Sequence, residues 1–282
     1  MKRGVNAWIF PRDFSLNRIL EASASIGYEG VELNLDEEKL NPWRAPKAEL
    51  KEIVERAESL EVELPSLCTG LFWKYNLAGA DEALRRRGIE LIAKGCEFAS
   101  DLGAKVLLVV PAVATSEVPY KTMWNRSKEA ILQGASKAEE FGVYLGIENV
   151  WNRFLYSPLE FRAFLEELNH DYVKAYFDVG NALFLGYPQH WIEILSDYIA
   201  CVHVKDFSMK LRQFKPLLQG DVPWKAVIEA LTKIDYRFFL NVELGPLPED
   251  PLKSASESKA ALDKILGLEA RAKGGEDSNL RF

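Results

Sequence analysis

The sequence predicts an α/β fold, a single (β/α)8 TIM barrel, from three observations. Short β-prone runs alternate with helix-length segments eight times along almost all of the 282 residues, and serial βα units with long crossovers are what a closed parallel barrel needs. The fourth run, Lys105 to Val110, is almost continuously apolar, as strands buried on both faces are. The last four runs each deliver one Glu, Asp or His where the run stops, and barrels carry their chemistry at strand C-termini. A doubly wound fold is the weaker alternative, because it usually has a glycine-rich turn after its first strand; here that turn reads Phe10-Pro11-Arg12-Asp13. The barrel is expected over residues 1–268, with a polar, solvated tail over 269–282.

The first strand is read as Arg3 to Ile9, followed by a helix capped near Ser15 and ended by Gly27. Gly30 to Leu35 is the second strand, with a helix from Pro46 to Leu60. Val62 to Cys68 leads into a loop, Thr69 to Gly79, then into a helix capped by Asp81 and stopped by Gly103. After the fourth strand comes a helix from Tyr120 to Phe141. Val143 to Glu148 precedes a helix starting at Pro158, since proline suits a first helical turn. Val173 to Asp178 is followed by a helix near Gln189 to Ser196. Ile199 to Lys205 opens a long basic loop that ends at Trp224, where a helix to Ile234 begins. Phe238 to Leu244 is the eighth strand, and Asp250-Pro251 opens the last helix, to Leu266.

Composition narrows the partners. A formal charge of -7 opposes a nucleic-acid surface, whose affinity comes from clustered Lys and Arg. No apolar run reaches the roughly 18 residues of a spanning helix, and the start has no signal-peptide core, so no membrane role and a cytoplasmic location are expected. Cys68, Cys96 and Cys201 show no CxxC spacing and read as reduced thiols.

Glu148, Asp178, His203 and Glu243 fall 30, 25 and 40 residues apart, about one βα unit each. Singly, each has a bland reading: an exposed strand end for either glutamate, a turn cap for Asp178, a satisfied core imidazole for His203. Jointly they supply hard oxygen and one nitrogen, a set suited to Mn, Mg, Co or Zn as one divalent metal ion. Without a cation the three carboxylates would repel and raise one another's pKa.

The stretches carrying these residues, Gly146-Ile147-Glu148-Asn149, Phe177-Asp178-Val179-Gly180-Asn181, His203-Val204-Lys205-Asp206 and Val242-Glu243-Leu244-Gly245, resemble those of the xylose-isomerase-like barrels. The likeness extends from Val5 to about Leu266 and is strongest toward the L-ribulose-5-phosphate 3-epimerase and D-tagatose 3-epimerase groups, with the motifs at Asp178–Asn181, His203–Asp206 and Gln219–Trp224 more similar to the former. It implies that Glu148, Asp178, His203 and Glu243 bind one divalent metal, Mn foremost, and that Glu148 and Glu243 are also the catalytic acid/base pair. The implied activity is epimerisation or aldose-ketose isomerisation of a sugar or sugar phosphate through an enediolate, in a family where homo-oligomers are common. In the tagatose group a His commonly stands where Asn181 is, so the substrate contact at Asn181 departs from that pattern.

Further substrate contacts are expected at Lys205 and Asp206. Arg212, with Lys210 and Lys215, lies in the basic loop after the seventh strand, where barrels often hold phosphate; a solvated loop is the alternative. Trp8, Phe72, Trp73 and Trp151 sit at strand ends one, three and five, placed to wall a pocket or simply to pack loops. Glu32, ending the second strand, is another candidate contact. Metal-dependent dehydration of a keto-inositol and a non-catalytic sugar-binding barrel remain as alternatives. An AP endonuclease needs a trinuclear zinc site with several histidines, against only His170, His190 and His203 here.

Overall fold

The computed structural model describes residues 1–246 and 250–267, and the tail expected over 269–282 lies outside the described residues. The barrel strands are β1 (Lys2–Asn6), β2 (Gly30–Leu35), β3 (Ser66–Thr69), β4 (Val106–Val109), β5 (Tyr144–Glu148), β6 (Val173–Asp178), β7 (Ile199–Val204) and β8 (Phe239–Val242). All pair in parallel with their chain neighbours, and β8 returns to β1 with Phe239 opposite Lys2. The helices are α1 (Leu16–Ile26), α2 (Lys47–Ser59), α3 (Glu82–Asp101), α4 (Tyr120–Phe141), α5 (Pro158–Leu168), α6 (Val179–Leu185), α7 (Pro188–Leu195), α8 (Trp224–Lys233) and α9 (Pro251–Ile265). No helix of the described residues is long and apolar enough to cross a membrane.

Local chemistry sets many of these boundaries. Ser15, Asp81, Ser157 and Asp250 each accept a hydrogen bond from a first-turn N–H of α1, α3, α5 and α9, satisfying donors that no intrahelical carbonyl reaches. Gly27 ends α1 at φ 92°, in the left-handed region that an L side chain enters at a cost. β1 stops at Asn6, three residues before Ile9, because the Asn6 side chain accepts from Trp8 N and turns the chain into a single 3-10 turn.

Two elements differ from the sequence reading. Asp178 caps an additional helix, α6, immediately after β6, and the basic loop after β7 contains an antiparallel hairpin, Asp206–Ser208 against Gln213–Lys215. Both are shorter than the periodicity of a sequence pattern can register.

Alternation along the strands decides which residues face the barrel axis. On β6, Phe177 packs outward on Trp191 of α7, with ring centroids 6.4 Å apart, while Tyr176 and Asp178 point inward to Asn241 and Lys205. The interior is polar toward the C-terminal end. Asn241 donates to Ser66, Tyr176 and the Cys201 sulfur, and Tyr176 donates to Glu32. Gly146 makes room for this layer, since a Cβ there would meet Val106 at 2.8 Å and Tyr176 at 3.0 Å. The three cysteines are free and buried, and burial pushes the Cys201 thiol up to about 12.

Candidate metal centre and substrate cavity

Strand register brings the four acid and imidazole positions together. Asp178 lies opposite His203 across β6 and β7, Glu148 opposite Tyr176 across β5 and β6, and Glu243 follows the end of β8. His203 Nδ1 stands 3.7 Å from Glu148 Oε1, 3.9 Å from Asp178 Oδ2 and 3.8 Å from Glu243 Oε2. Ligands about 2.1 Å from a common cation stand roughly 3.0 to 3.4 Å apart when adjacent, so a contraction of a few tenths of an ångström would match a coordination shell. One buried atom in this group, His203 Nδ1, has no hydrogen-bond partner, an unusual state for a buried polar atom. Lys205 Nζ lies 2.8 Å from that Asp178 oxygen and also contacts Glu243. The donor chemistry, the spacing and the orphaned His203 nitrogen fit a divalent ion held by Glu148, Asp178, His203 and Glu243.

The surroundings fix how each donor is presented. His203 Nε2–H donates to Glu32 Oε2 at 2.5 Å, which orients the ring and turns Nδ1 toward the centre. Glu32 also accepts from Asn6, Ser66 and Tyr176. It is wholly buried under the imidazole rather than on the cavity, so the structure places it away from the substrate contact expected of it. Asp178 divides its two oxygens: Oδ1 accepts from Asn181 N at 2.6 Å and caps α6, leaving Oδ2 for the centre. Asn149 holds the same strand end, taking a hydrogen bond from Asp178 N and donating to Asp178 O. A Cβ on Gly180 would meet Lys205 at 2.6 Å and its carbonyl oxygen at 2.8 Å, so the absent side chain is what lets Lys205 lie across the centre.

The electrostatics of the ion-free centre are those of crowded acids. Burial raises the Glu148 carboxyl, with Glu243 and Asp178 adding to the rise against His203. Burial raises Asp178 too, opposed by Lys205. Glu243 is held low despite its burial because Lys205 and His203 face it. Burial opposes the charge on His203, but Glu32 first and then Glu243 hold its pKa well above the usual range. Lys205 is likewise raised, against its burial, by Asp178 and Glu243. A second grouping of Glu32, Cys68 and His203 exists, yet burial and the neighbouring carboxylates keep the Cys68 thiol protonated, and Glu32 is spent on its four donors.

A cavity of about 340 Å³ opens above the centre. Glu148, Glu243, Lys205 and Asn181 form its charged and polar side; Trp8, Trp73, Trp151 and Phe214 form its rim. Asn181 Nδ2 lies 3.5 Å from Glu148 Oε1. Trp151 donates to the Asn181 carbonyl and stacks on Phe214 at 4.7 Å. Phe214, Cys68, Thr69, Leu108 and Val110 also line the cavity. Sequence reasoning missed these five and Val150, which lines it too; only Phe214, in the otherwise basic loop, offered a signal. Three expected contacts are not brought to the cavity. Asp206 is buried and accepts from Phe207 N, Val222 N and Trp224 Nε1; Arg212 is exposed at the hairpin turn; Phe72 is buried in the loop packing. Of the histidines, His170 lies instead near Tyr172 and Glu139, on the outside.

The profile of the family described as "Xylose isomerase-like TIM barrel" matches residues 20–265. The chain belongs to that family. Among relatives of this xylose isomerase-like barrel, the L-ribulose-5-phosphate 3-epimerase UlaE of Escherichia coli is 24% identical over 261 residues, covering 90% of this chain and 89% of that one. A D-tagatose 3-epimerase-like protein, 22% identical, superposes with a TM-score of 0.83 over 96% of this chain and 99% of its own. An L-ribulose 3-epimerase, 20% identical, superposes with a TM-score of 0.81 over 100% of this chain and 99% of its own.

Proposed function

We propose that the chain is a divalent-metal-dependent epimerase or isomerase of a ketose or ketose phosphate, with Glu148 and Glu243 as its acid/base pair. The observation that carries this reading is the convergence of three carboxylates and the unpartnered Nδ1 of His203 under one cavity. Relatives named as sugar 3-epimerases support it. The oxygen-rich donor set suits Mn best, with Mg, Co and Zn as the other candidates.

When bound, such an ion would supply Lewis acidity at the ketose carbonyl and favour an enediolate. One glutamate takes the proton from the carbon beside the carbonyl, and the other returns a proton on the opposite face, inverting that centre. Return to the carbonyl carbon instead yields an aldose. Asp178 and His203 hold their positions through the α6 cap and the Glu32 hydrogen bond, leaving the glutamates to move protons. Lys205 keeps Glu243 ionised, Asn181 reaches toward Glu148, and the aromatic rim sheds water from the reacting carbon.

Incubating the Mn-loaded protein with free and phosphorylated ketoses in heavy water tests the reading. Deuterium entering at C3, with a second ketose growing in by NMR, is the expected result. A metal-replete protein that exchanges no proton in any member of the panel sinks it.

A further inference from the structure

We infer that the cavity takes an unphosphorylated sugar and selects against the phosphate ester of the same ketose. The inference rests on the sugar-epimerase reading for the chemistry and on the walls of the cavity for the selection.

The rim is aromatic where a phosphate would need cations. Trp8 and Trp73 are 41% and 47% exposed, and Trp151 and Phe214 are 37% and 38% exposed, all on one cavity. Half-exposed rings around a polar floor suit the C–H faces of a neutral sugar. Among the described residues, the one Lys or Arg lining this cavity is Lys205, already committed to Asp178 and Glu243. Cations of the loops after β1, β2 and β3 are engaged or line another cleft. Lys74 Nζ is held by both oxygens of Glu37 at 2.7 and 2.8 Å, and Lys39 Nζ donates to the Phe14 carbonyl at 2.8 Å. Arg12 lines a separate cleft beyond Trp8, which it shares with Asp36, Glu37 and Glu38.

The loop after β7, where barrels often seat a phosphate, is filled by the protein's own anion. The Asp206 carboxylate takes the backbone N–H groups of Phe207 and Val222 and the indole N–H of Trp224. The basic residues that made this loop a phosphate candidate do not line the cavity: Lys210 and Arg212 are exposed, and Lys215 lies on the hairpin strand paired with Asp206. At α6 the first-turn donor of Asn181 is already bonded to Asp178. Among the described residues, a phosphate dianion entering the cavity would therefore meet carboxylates and dry rings, without an uncommitted guanidinium or ammonium of the kind such groups need.

Binding tests the selection separately from turnover. Tryptophan fluorescence of the Mn-loaded and metal-free proteins is titrated with D-fructose against D-fructose 6-phosphate, and with L-ribulose against L-ribulose 5-phosphate. The free sugar of at least one pair is expected to bind at least tenfold more tightly than its ester. Equal or tighter binding of the esters overturns the inference, as does a protein that binds no member of either pair. Trp73→Lys, at a half-exposed position, is expected to strengthen binding of the esters at least fivefold; no gain there removes the rim as the cause. Deuterium exchange distinguishes the two failures. Exchange in the esters alone overturns the selection and keeps the epimerase, whereas tight binding of free sugar without exchange overturns the epimerase and keeps the selection.

Discussion

The two halves of the barrel mouth differ in kind. Strands β5 to β8 bring Glu148, Asp178, His203 and Glu243 to one centre, while β1 to β4 and their loops offer Trp8, Cys68, Thr69, Trp73, Leu108 and Val110. The one acid the first half sends inward, Glu32, stops beneath His203 and serves the other half. Charge is therefore concentrated in one half, while the aromatic rim draws on both, since Trp151 and Phe214 follow β5 and β7. Coulomb energy explains the segregation. Two carboxylates about 4 Å apart cost roughly 4 kcal/mol at an effective dielectric near 20, so acids are tolerable only where a cation can join them.

The division can be broken most severely on the charged side. Glu148→Gln and Glu243→Gln are each expected to lower turnover by about 10²- to 10⁴-fold while leaving the melting temperature close to that of the parent. Near-normal rates in either variant with saturating Mn would remove the two-glutamate mechanism. Chelation should abolish turnover, with recovery on adding Mn or Co; full activity in protein shown by elemental analysis to be metal-free would contradict the centre.

Glu32→Gln is a milder break, because it replaces the carboxylate that orients His203. A loss of about 10- to 100-fold in metal affinity is expected, read by competition with a fluorescent chelator, and an unchanged affinity would show that the hydrogen bond does not set the ligand. The same centre should respond to pH. In the ion-free fold Glu148, Asp178 and His203 hold protons more tightly than in the unfolded chain. Such groups contribute stability below their unfolded pKa values and lose it as pH rises through the folded ones. Glu243 and Glu32 are lowered, so their contribution is present above the unfolded values and lost as pH falls through the folded ones. Metal entry must displace the tightly held protons, so affinity should rise with pH and calorimetry in two buffers should show proton release; affinity flat across that window is the contrary result.

The smallest effects belong to the aromatic rim and to the surface. Phe214→Ala should raise KM by roughly threefold to tenfold with kcat little changed, the signature of lost uniform binding. Arg212→Ala should alter neither turnover nor stability by more than about 0.5 kcal/mol, measured by initial rates and thermal melting. A large loss at Arg212 would return the basic hairpin to the site.

The charged half was legible in sequence because each of its residues ends a β-prone run, a local pattern that register then converts into proximity. Strand ends separated by about one βα unit become neighbours only because the barrel closes, and closure is implied by eight repeats. The cavity rim was legible in part. Trp8, Trp73 and Trp151 line the cavity as expected, but Leu108 and Val110 look like any core strand, and Phe214 comes from a hairpin too short to announce itself. Glu32 and Asp206 show the opposite limit. Glu32 lies within β2 and Asp206 just beyond β7, and only their depth and hydrogen-bond partners set these two acids apart from the three carboxylates at the centre.

Asp206 fastens both ends of the segment that carries Phe214: its oxygens hold Phe207 at the start and Val222 and Trp224 at the finish. The intervening hairpin is thus a cassette on a fixed clasp. On the sugar-epimerase reading, the stretch from 208 to 220 would be the natural place for evolution, or for an engineer, to rewrite which sugar is accepted while Glu148 and Glu243 keep their places.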